Sequence, residues 1–435
     1  MASALSETGH EVRAVCIAPL ESANSDNPKY PIYKRVQDNI PVYCFPPLEP
    51  PYCDGRPLPE FRTDPNRRKW AEKILNEWKP DILHVTASGG FYDLMREAIE
   101  RKIPIVATLL DFGLLCPHQF LLKGDGSLCE GNPSPGKCRP CLKFNTSLLS
   151  RIACHIASFD LGRSALKSVF GAKRADTFDF HRAIQEVLHE QALLREHISR
   201  FIAPAPVARR IFEAHGVISD RIVDLVYSLP NEKLKKSPKE SVPPGKERGL
   251  CIGFIGRPSW EKGFQVVLNA FIMLDFSISP SPELWLAGNG IDPDKLAEYS
   301  SKPDVTRRMK DDGKIRLFNN LSDSEIRDLA AKLDVCVIPS ICYECTPLVL
   351  LEVLAQGTPC IGSDTDGIHH LIDDGKSGLL FPPGDVNALA RILQDLNSNP
   401  EQLQDWKKHL PAVQNDAEYS QRLTLLYEKL TKESV

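Results

Sequence analysis

Leu250-Cys251-Ile252-Gly253-Phe254-Ile255-Gly256-Arg257-Pro258-Ser259-Trp260-Glu261-Lys262-Gly263 is the stretch that decides the fold. Its first six residues form the short apolar run of a buried strand. Gly256 then lets the backbone come close to a ligand. Arg257 and Lys262 lie five apart in the loop that follows, where they can converge on one diphosphate. Arg offers a planar fork and Lys a point charge. The plainer reading of the same loop is two solvated surface cations. The Gly-x-Gly-x-x-Gly pattern is absent, which disfavours a nicotinamide or flavin site.

Working outward, further apolar runs at 284–287, 315–318, 335–338 and 359–362 read as strands. Helical spacing fills 263–274, 324–333 and 347–356. Such alternation predicts a doubly wound α/β domain that binds ligands at the carboxyl ends of its strands. The first half alternates less cleanly. Runs at 12–17, 81–85 and 103–110 read as strands, 92–101 as a helix, and 166–213 as helical except for a strand at 201–204. Residues 232–249 are rich in Lys, Pro, Glu and Ser and read as an interdomain linker. Met1 to Val15 opens with a helix end and a Gly C-cap before the first strand.

Ser340-Ile341-Cys342-Tyr343-Glu344-Cys345-Thr346-Pro347-Leu348-Val349-Leu350-Leu351-Glu352 is the second informative stretch. Thr346 is expected to cap a helix that starts at Pro347. The free amides of Leu348 and Val349 would then face out of the helix start, which attracts phosphate. Glu344 precedes the cap, so its carboxylate falls near the same ligand. Glu352 lies about two turns on and can accept from ribose hydroxyls. Two Glu eight apart are common on any helix. Glu352, however, sits among Leu350, Leu351, Val353 and Leu354, where a carboxylate needs partners.

Taken together these segments resemble the donor domain of retaining glycosyltransferase family 4, the glycosyl transferases group 1. The resemblance is carried by Gly256-Arg257…Lys262-Gly263, by the Glu-x7-Glu pair Glu344 and Glu352, by Ser363-Asp364-Thr365-Asp366-Gly367, and by Asp374-Gly375…Gly378-Leu379-Leu380. It implies an α/β protein of the GT-B fold, with two Rossmann-like doubly wound domains facing across a cleft. The implied divisions are an acceptor-side domain at 1–231 with a Cys-rich insertion at 116–141, a linker at 232–249, a nucleotide-sugar domain at 250–410, and a C-terminal helix at 411–435 that packs back on the first domain.

The resemblance also implies roles. Arg257 and Lys262 would hold the diphosphate, and Glu344 would meet the transferred sugar near its reacting carbon. Glu352 would bind the ribose. The backbone from Thr346 through Pro347 to Leu348, with amide donors at Thr346 and Leu348, would touch phosphate and sugar hydroxyls, Gly256, Gly288 and Gly290 would line the donor pocket, and Asn319 to Asp323 would face the base. Arg and Lys take the place of a catalytic metal, so none is expected. Two departures stand out. Cys345 occupies a position where the family more often has Gly, which narrows the sugar pocket. Leu110 precedes Asp111 where members commonly have His, leaving Asp111, His84 and His118 as acceptor-side candidates. The weaker N-terminal match, from Gly9-His10-Glu11-Val12 onward, lacks the family's first strand and Gly-rich loop, which reads either as a misassigned start or as a truncated, impaired member.

Cys116, Cys129, Cys138 and Cys141 form a separate group in a loop rich in Gly, Pro and Lys. The Cys-x2-Cys knuckle is a common zinc or iron–sulfur ligand pair, so a structural metal is expected there, with the choice of metal open.

Composition narrows the classes. At 435 residues, 42% apolar and 25% charged, the chain suits two soluble domains. A net charge of -4 excludes the basic excess of a nucleic-acid binder. No run reaches the roughly 20 apolar residues of a membrane span, and the N-terminus lacks a signal-peptide pattern. The chain therefore reads as cytoplasmic, and a peripheral place at the inner membrane face stays open if its acceptor is lipid-linked. Its expected partners are a nucleotide-diphosphate sugar and a glycan or lipid-linked acceptor. The competing classes are a non-catalytic scaffold or regulatory protein of this fold and a sugar-nucleotide epimerase.

Overall fold

A computed structural model describes residues 1–17, 33–37, 39–45, 65–87, 91–117, 119–123, 125–138, 141, 164–165, 168–169, 180–238, 248–277 and 280–433. The chain divides into two compact units. One comprises Met1–Pro204, Ala208–Leu225 and Ser420–Val435, and the other Ala205–Val207 and Val226–Tyr419.

In the first unit β1 (Ala14–Ile17) pairs in parallel with β3 (Ile40–Phe45), which pairs antiparallel with β2 (Tyr33–Gln37). A parallel sheet runs β4 (Leu83–Val85), β5 (Ile105–Thr108), β6 (Ile198–Ala203), β7 (Ile222–Asp224). The four residues of β5 are all buried, as expected where a parallel strand is covered on both faces. The last helix, Asp416–Glu433, belongs to this unit from Ser420 onward.

The second unit holds six parallel strands: β8 (Cys251–Ile255), β9 (Glu283–Ala287), β10 (Ile315–Phe318), β11 (Val335–Ile338), β12 (Cys360–Ser363) and β13 (Gly378–Phe381). Their spatial order is β10-β9-β8-β11-β12-β13. The first strand thus sits centrally, with two strands built outward on one side and three on the other. The order reverses between β8 and β11, and the loops that leave their carboxyl ends frame the crevice where doubly wound sheets take ligands. β8, β11 and β12 are buried throughout. Helices between the strands close the layer, and the helix Asp323–Lys332 starts with a full capping box between Ser322 and Glu325.

The strands expected from sequence in this unit appear within a residue or so of their anticipated ends. The linker does not appear as expected. Residues 239–247 lie outside the described residues, but the chain before them is structured. Asn231–Leu234 forms a helical turn. Lys233 reaches Glu352 at 2.6 Å, and Ser237 donates to Asp328 at 2.7 Å and takes the Gln356 side-chain oxygen on its amide at 2.9 Å. Polar side chains that suggested a solvated linker are satisfied instead by acceptors on two helices of the second unit.

Asp334 fastens β8 to β11 at their amino ends. Fully buried, it accepts two 2.7 Å bonds from the Arg248 guanidinium and one from the Cys251 amide. Without Asp334 the Cys251 amide loses its buried acceptor, while the part-exposed Arg248 keeps its bond to the Gly249 carbonyl. Asp334→Ala is therefore expected to lower unfolding stability by about 1–3 kcal/mol, read as a shifted midpoint in urea denaturation.

Candidate functional site

The loop after β8 and the loop after β11 are joined at three levels. The Ile341 amide donates to the Glu261 carbonyl at 3.0 Å. Gly263, at φ 70°, turns the chain into the helix Phe264–Phe271 and rests on Pro339, where a Cβ would lie 1.8 Å from the Pro339 carbonyl oxygen. Lys262 Nζ then meets Glu344 Oε1 at 2.6 Å. The two charged side chains, 82 residues apart in sequence, thus meet at the point of strand-order reversal.

The pair is partly sheltered, with 30% of the Lys262 side chain and 10% of the Glu344 side chain exposed. Burial works against the Lys262 charge, but the adjoining Glu344 carboxylate more than offsets it and holds the Lys262 pKa above its ordinary value. Lys262 is therefore a fixed cation at neutral pH. Arg257 is 66% exposed and touches Glu261 only at 3.8 Å, which leaves its fork open to a ligand. Cys342, buried beside the pair, has its thiol pushed up to about 12 by burial, so it is a packing group and not a nucleophile.

Glu344 is held from behind as well. Gly367, in the turn after β12, packs so closely that a Cβ there would lie 1.3 Å from the Glu344 carbonyl oxygen. Three strand-end loops therefore fix one carboxylate.

The helix after β11 differs from expectation. It runs Leu348–Ala355 with Pro347 as N-cap, and no side chain caps it. The Thr346 hydroxyl donates to the Cys345 carbonyl. Pro347 already has an extended backbone, so the cap moves one residue on and Thr346 satisfies its neighbour. Leu350 and Leu351 return their amides to the Pro347 carbonyl, whereas the amides of Leu348 and Val349 take no backbone acceptor among the described residues. Donor groups thus remain at this helix start.

Glu352 lies on that helix facing Lys233, which it binds at 2.6 Å. A carboxylate among leucines did need a partner, and sequence reasoning missed that Lys233 supplies it. Gly256 and Gly288 meet at the carboxyl ends of β8 and β9, where the Gly256 amide binds the Ala287 carbonyl at 2.8 Å. Gly290 takes φ 84° just beyond them. Asn319 uses its side chain to hold both backbone groups of Ile291, at 3.0 and 2.9 Å, which pins the loop expected near the base.

In the first unit His84 bridges two elements. Its Nδ1 meets the Tyr427 hydroxyl at 2.5 Å and its Nε2 the Thr108 hydroxyl at 2.7 Å. His84 is half-buried, and burial pushes its pKa down to about 4. Asp111 follows β5, accepts from the Gly113 amide at 2.7 Å, and has its pKa raised by burial. His118 lies outside the described residues.

The cysteine expectation needs correction. Cys116, Cys129, Cys138 and Cys141 line one cavity of about 470 Å³. Among the described residues, however, no group of three or more His, Cys, Asp or Glu is placed to hold a metal ion. The thiols of Cys129 and Cys141 turn to carbonyls of their own loop, Gly131 and Lys137. Also among the described residues, no helix is long and apolar enough to cross a membrane.

Comparison with known proteins agrees with this geometry. Residues 249–399 match the family described as Glycosyl transferases group 1. A glycogen synthase of Mycobacterium tuberculosis is 31% identical over 147 residues, 34% of this chain and 34% of that protein. A phosphatidyl-myo-inositol mannosyltransferase of Mycolicibacterium smegmatis is 28% identical over 212 residues, 47% of this chain and 50% of that protein. The chain thus matches between a third and a half of these relatives' length. Among solved structures, sucrose-phosphate synthase from Thermosynechococcus elongatus superposes with a TM-score of 0.61 at 15% identity, covering 99% of this chain and 92% of that one. HepE from Anabaena, solved with UDP and glucose, gives 0.59 at 15% identity over 90% and 87% of the two chains. At these identities the likeness concerns the fold.

Two outcomes test the geometry. Gly367→Ala is expected to displace the Glu344 backbone and to destabilise by about 1–3 kcal/mol, whereas Gly136→Ala, with open space around it, stays neutral. Thermal unfolding of both variants reads this. His84 has a folded pKa of about 4, below its ordinary 6.5, so the folded state resists its protonation. Its contribution is complete above pH 6.5 and is lost as pH falls toward 4. Unfolding stability should drop by about 2 kcal/mol between pH 7 and pH 5 on this account, and His84→Gln should remove most of that slope.

The α/β units have the GT-B fold, and the segment at residues 249–399, which carries Lys262 and Glu344, matches the family described as Glycosyl transferases group 1.

Proposed function

We propose that this chain is a glycosyltransferase that moves a sugar from a nucleotide-diphosphate donor to a glycan or other hydroxyl acceptor, with retention of anomeric configuration. The meeting of Lys262 and Glu344 at the strand-order reversal carries this proposal. Departure of a sugar nucleotide's leaving group puts negative charge on a diphosphate. Lys262, the open fork of Arg257 and the amides at Leu348 and Val349 are donors within one crevice for that charge. Contacts made once the donor is seated act on the rate only so far as they strengthen in the transition state. Glu344 is placed to meet the sugar that extends from the diphosphate. Glu352 is assigned to the ribose, sharing its carboxylate with Lys233. Retention follows from the resemblance to family 4. The UDP bound by HepE makes UDP-sugars the first donors to try.

Lys262→Ala and Arg257→Ala should each weaken nucleoside diphosphate binding by about 1.5–3 kcal/mol, the range for a charge-assisted contact. Calorimetry with UDP and GDP measures this, and unchanged affinity in both variants would place the donor elsewhere. Glu344→Gln keeps the shape and should lower turnover at saturating donor far more than donor affinity. Wild type that binds a sugar nucleotide without transferring or hydrolysing it would favour a non-catalytic scaffold, for which Leu110 in place of the family's His is the supporting feature.

A further inference from the structure

Glu344 has a second partner besides Lys262. The Ser340 hydroxyl donates to Glu344 Oε1 at 2.6 Å, the same oxygen that Lys262 binds. Among the described residues these two are the only side chains bonded to the Glu344 carboxylate. Both act on Oε1. Among the described residues Oε2 takes no hydrogen bond, and it is not fully sealed from the surface.

Ser340 is itself buried between packed neighbours. It lies two residues beyond β11 and is 2% exposed. The residue on one side, Pro339, is packed against Gly263, and the residue on the other, Ile341, is bonded to the Glu261 carbonyl. Lys262 differs, because its long side chain is part-exposed and its charge is the one a diphosphate would attract. A diphosphate would offer that ammonium two or more negative charges in place of one carboxylate. If Lys262 turns to the diphosphate, Glu344 keeps only one of its two anchors.

We propose, resting on the glycosyltransferase reading above, that Ser340 is a positioning residue for the sugar-nucleotide reaction. It retains Glu344 Oε1 while Lys262 passes to the diphosphate, and so leaves Oε2 directed at the transferred sugar. Ser340 makes no contact with substrate in this scheme and acts through Glu344 alone.

The role predicts a split in the kinetic constants. Ser340→Ala should lower kcat roughly 10–100-fold, as loss of a hydrogen bond to a charged group implies, with donor KM and UDP affinity changed less than about twofold. Unchanged UDP affinity also shows that the variant folds. Ser340→Thr restores the hydroxyl and should recover most of kcat. An unaltered kcat, a parallel loss of UDP affinity, or no recovery in the Thr variant would each overturn the inference. A structure with UDP bound tests it independently of turnover. Lys262 on the phosphates with Glu344 still on Ser340 supports it, whether or not transfer is observed. Glu344 moving with Lys262, or leaving Ser340, overturns it. Absence of turnover in wild type, with Ser340 still holding Glu344 in the UDP-bound structure, would count against the glycosyltransferase reading and not against the anchor.

Discussion

The ion pair between Lys262 and Glu344 depends on two strands lying side by side, and much of the second unit serves that adjacency. β8 and β11 are neighbours only because the chain builds β9 and β10 outward on one side before returning to the other. Asp334 and Arg248 fasten the amino ends of the two strands, and the Ile341 amide on the Glu261 carbonyl joins the loops that leave their carboxyl ends. The pair is thus held at both ends of a short lever. A 2.6 Å contact between part-buried charges is tolerable here because each charge has the other, and Glu344 has Ser340 as well.

Backbone proximity is the second constraint. Three loops must converge within a few ångströms of one carboxylate, and side chains at the crossing points would keep them apart. Gly263 against Pro339 and Gly367 against Glu344 remove that obstacle. The left-handed turn at Gly263 also aims Lys262, since it places the lysine immediately before the helix Phe264–Phe271. The glycines of the family pattern are therefore explained by packing between loops as much as by closeness to a ligand.

The strands of the second unit were legible because apolar runs of four to six residues between turn signals admit few other readings. The site loops were legible because Arg, Lys and Glu at strand ends have little to do in a core. The partners of those residues were not legible. Lys233 on Glu352 and Ser340 on Glu344 join positions whose pairing depends on how helices and loops pack. The contacts of Lys233 and Ser237, at the start of the expected linker, were hidden for the same reason, since both look solvated until their acceptors are known. The helix cap slipped by one residue because Pro347 can serve as N-cap or first residue with nearly the same φ. The four cysteines show the limit of spacing as evidence, because ligand spacing fixes which thiols are near and not which way they turn.

Charge balance ties the site to its proposed reaction. The Lys262 charge is matched by Glu344, and Arg257 stands largely in solvent with a loose contact to Glu261. Transfer of Lys262 from carboxylate to phosphate exchanges one ion pair for another, so the donor need not strip a lone buried ammonium of its only partner. The carboxylate left behind is the group that must then be stabilised by something neutral. A buried hydroxyl suits that role, because it donates one strong bond without cancelling the negative charge that the reacting sugar is to meet.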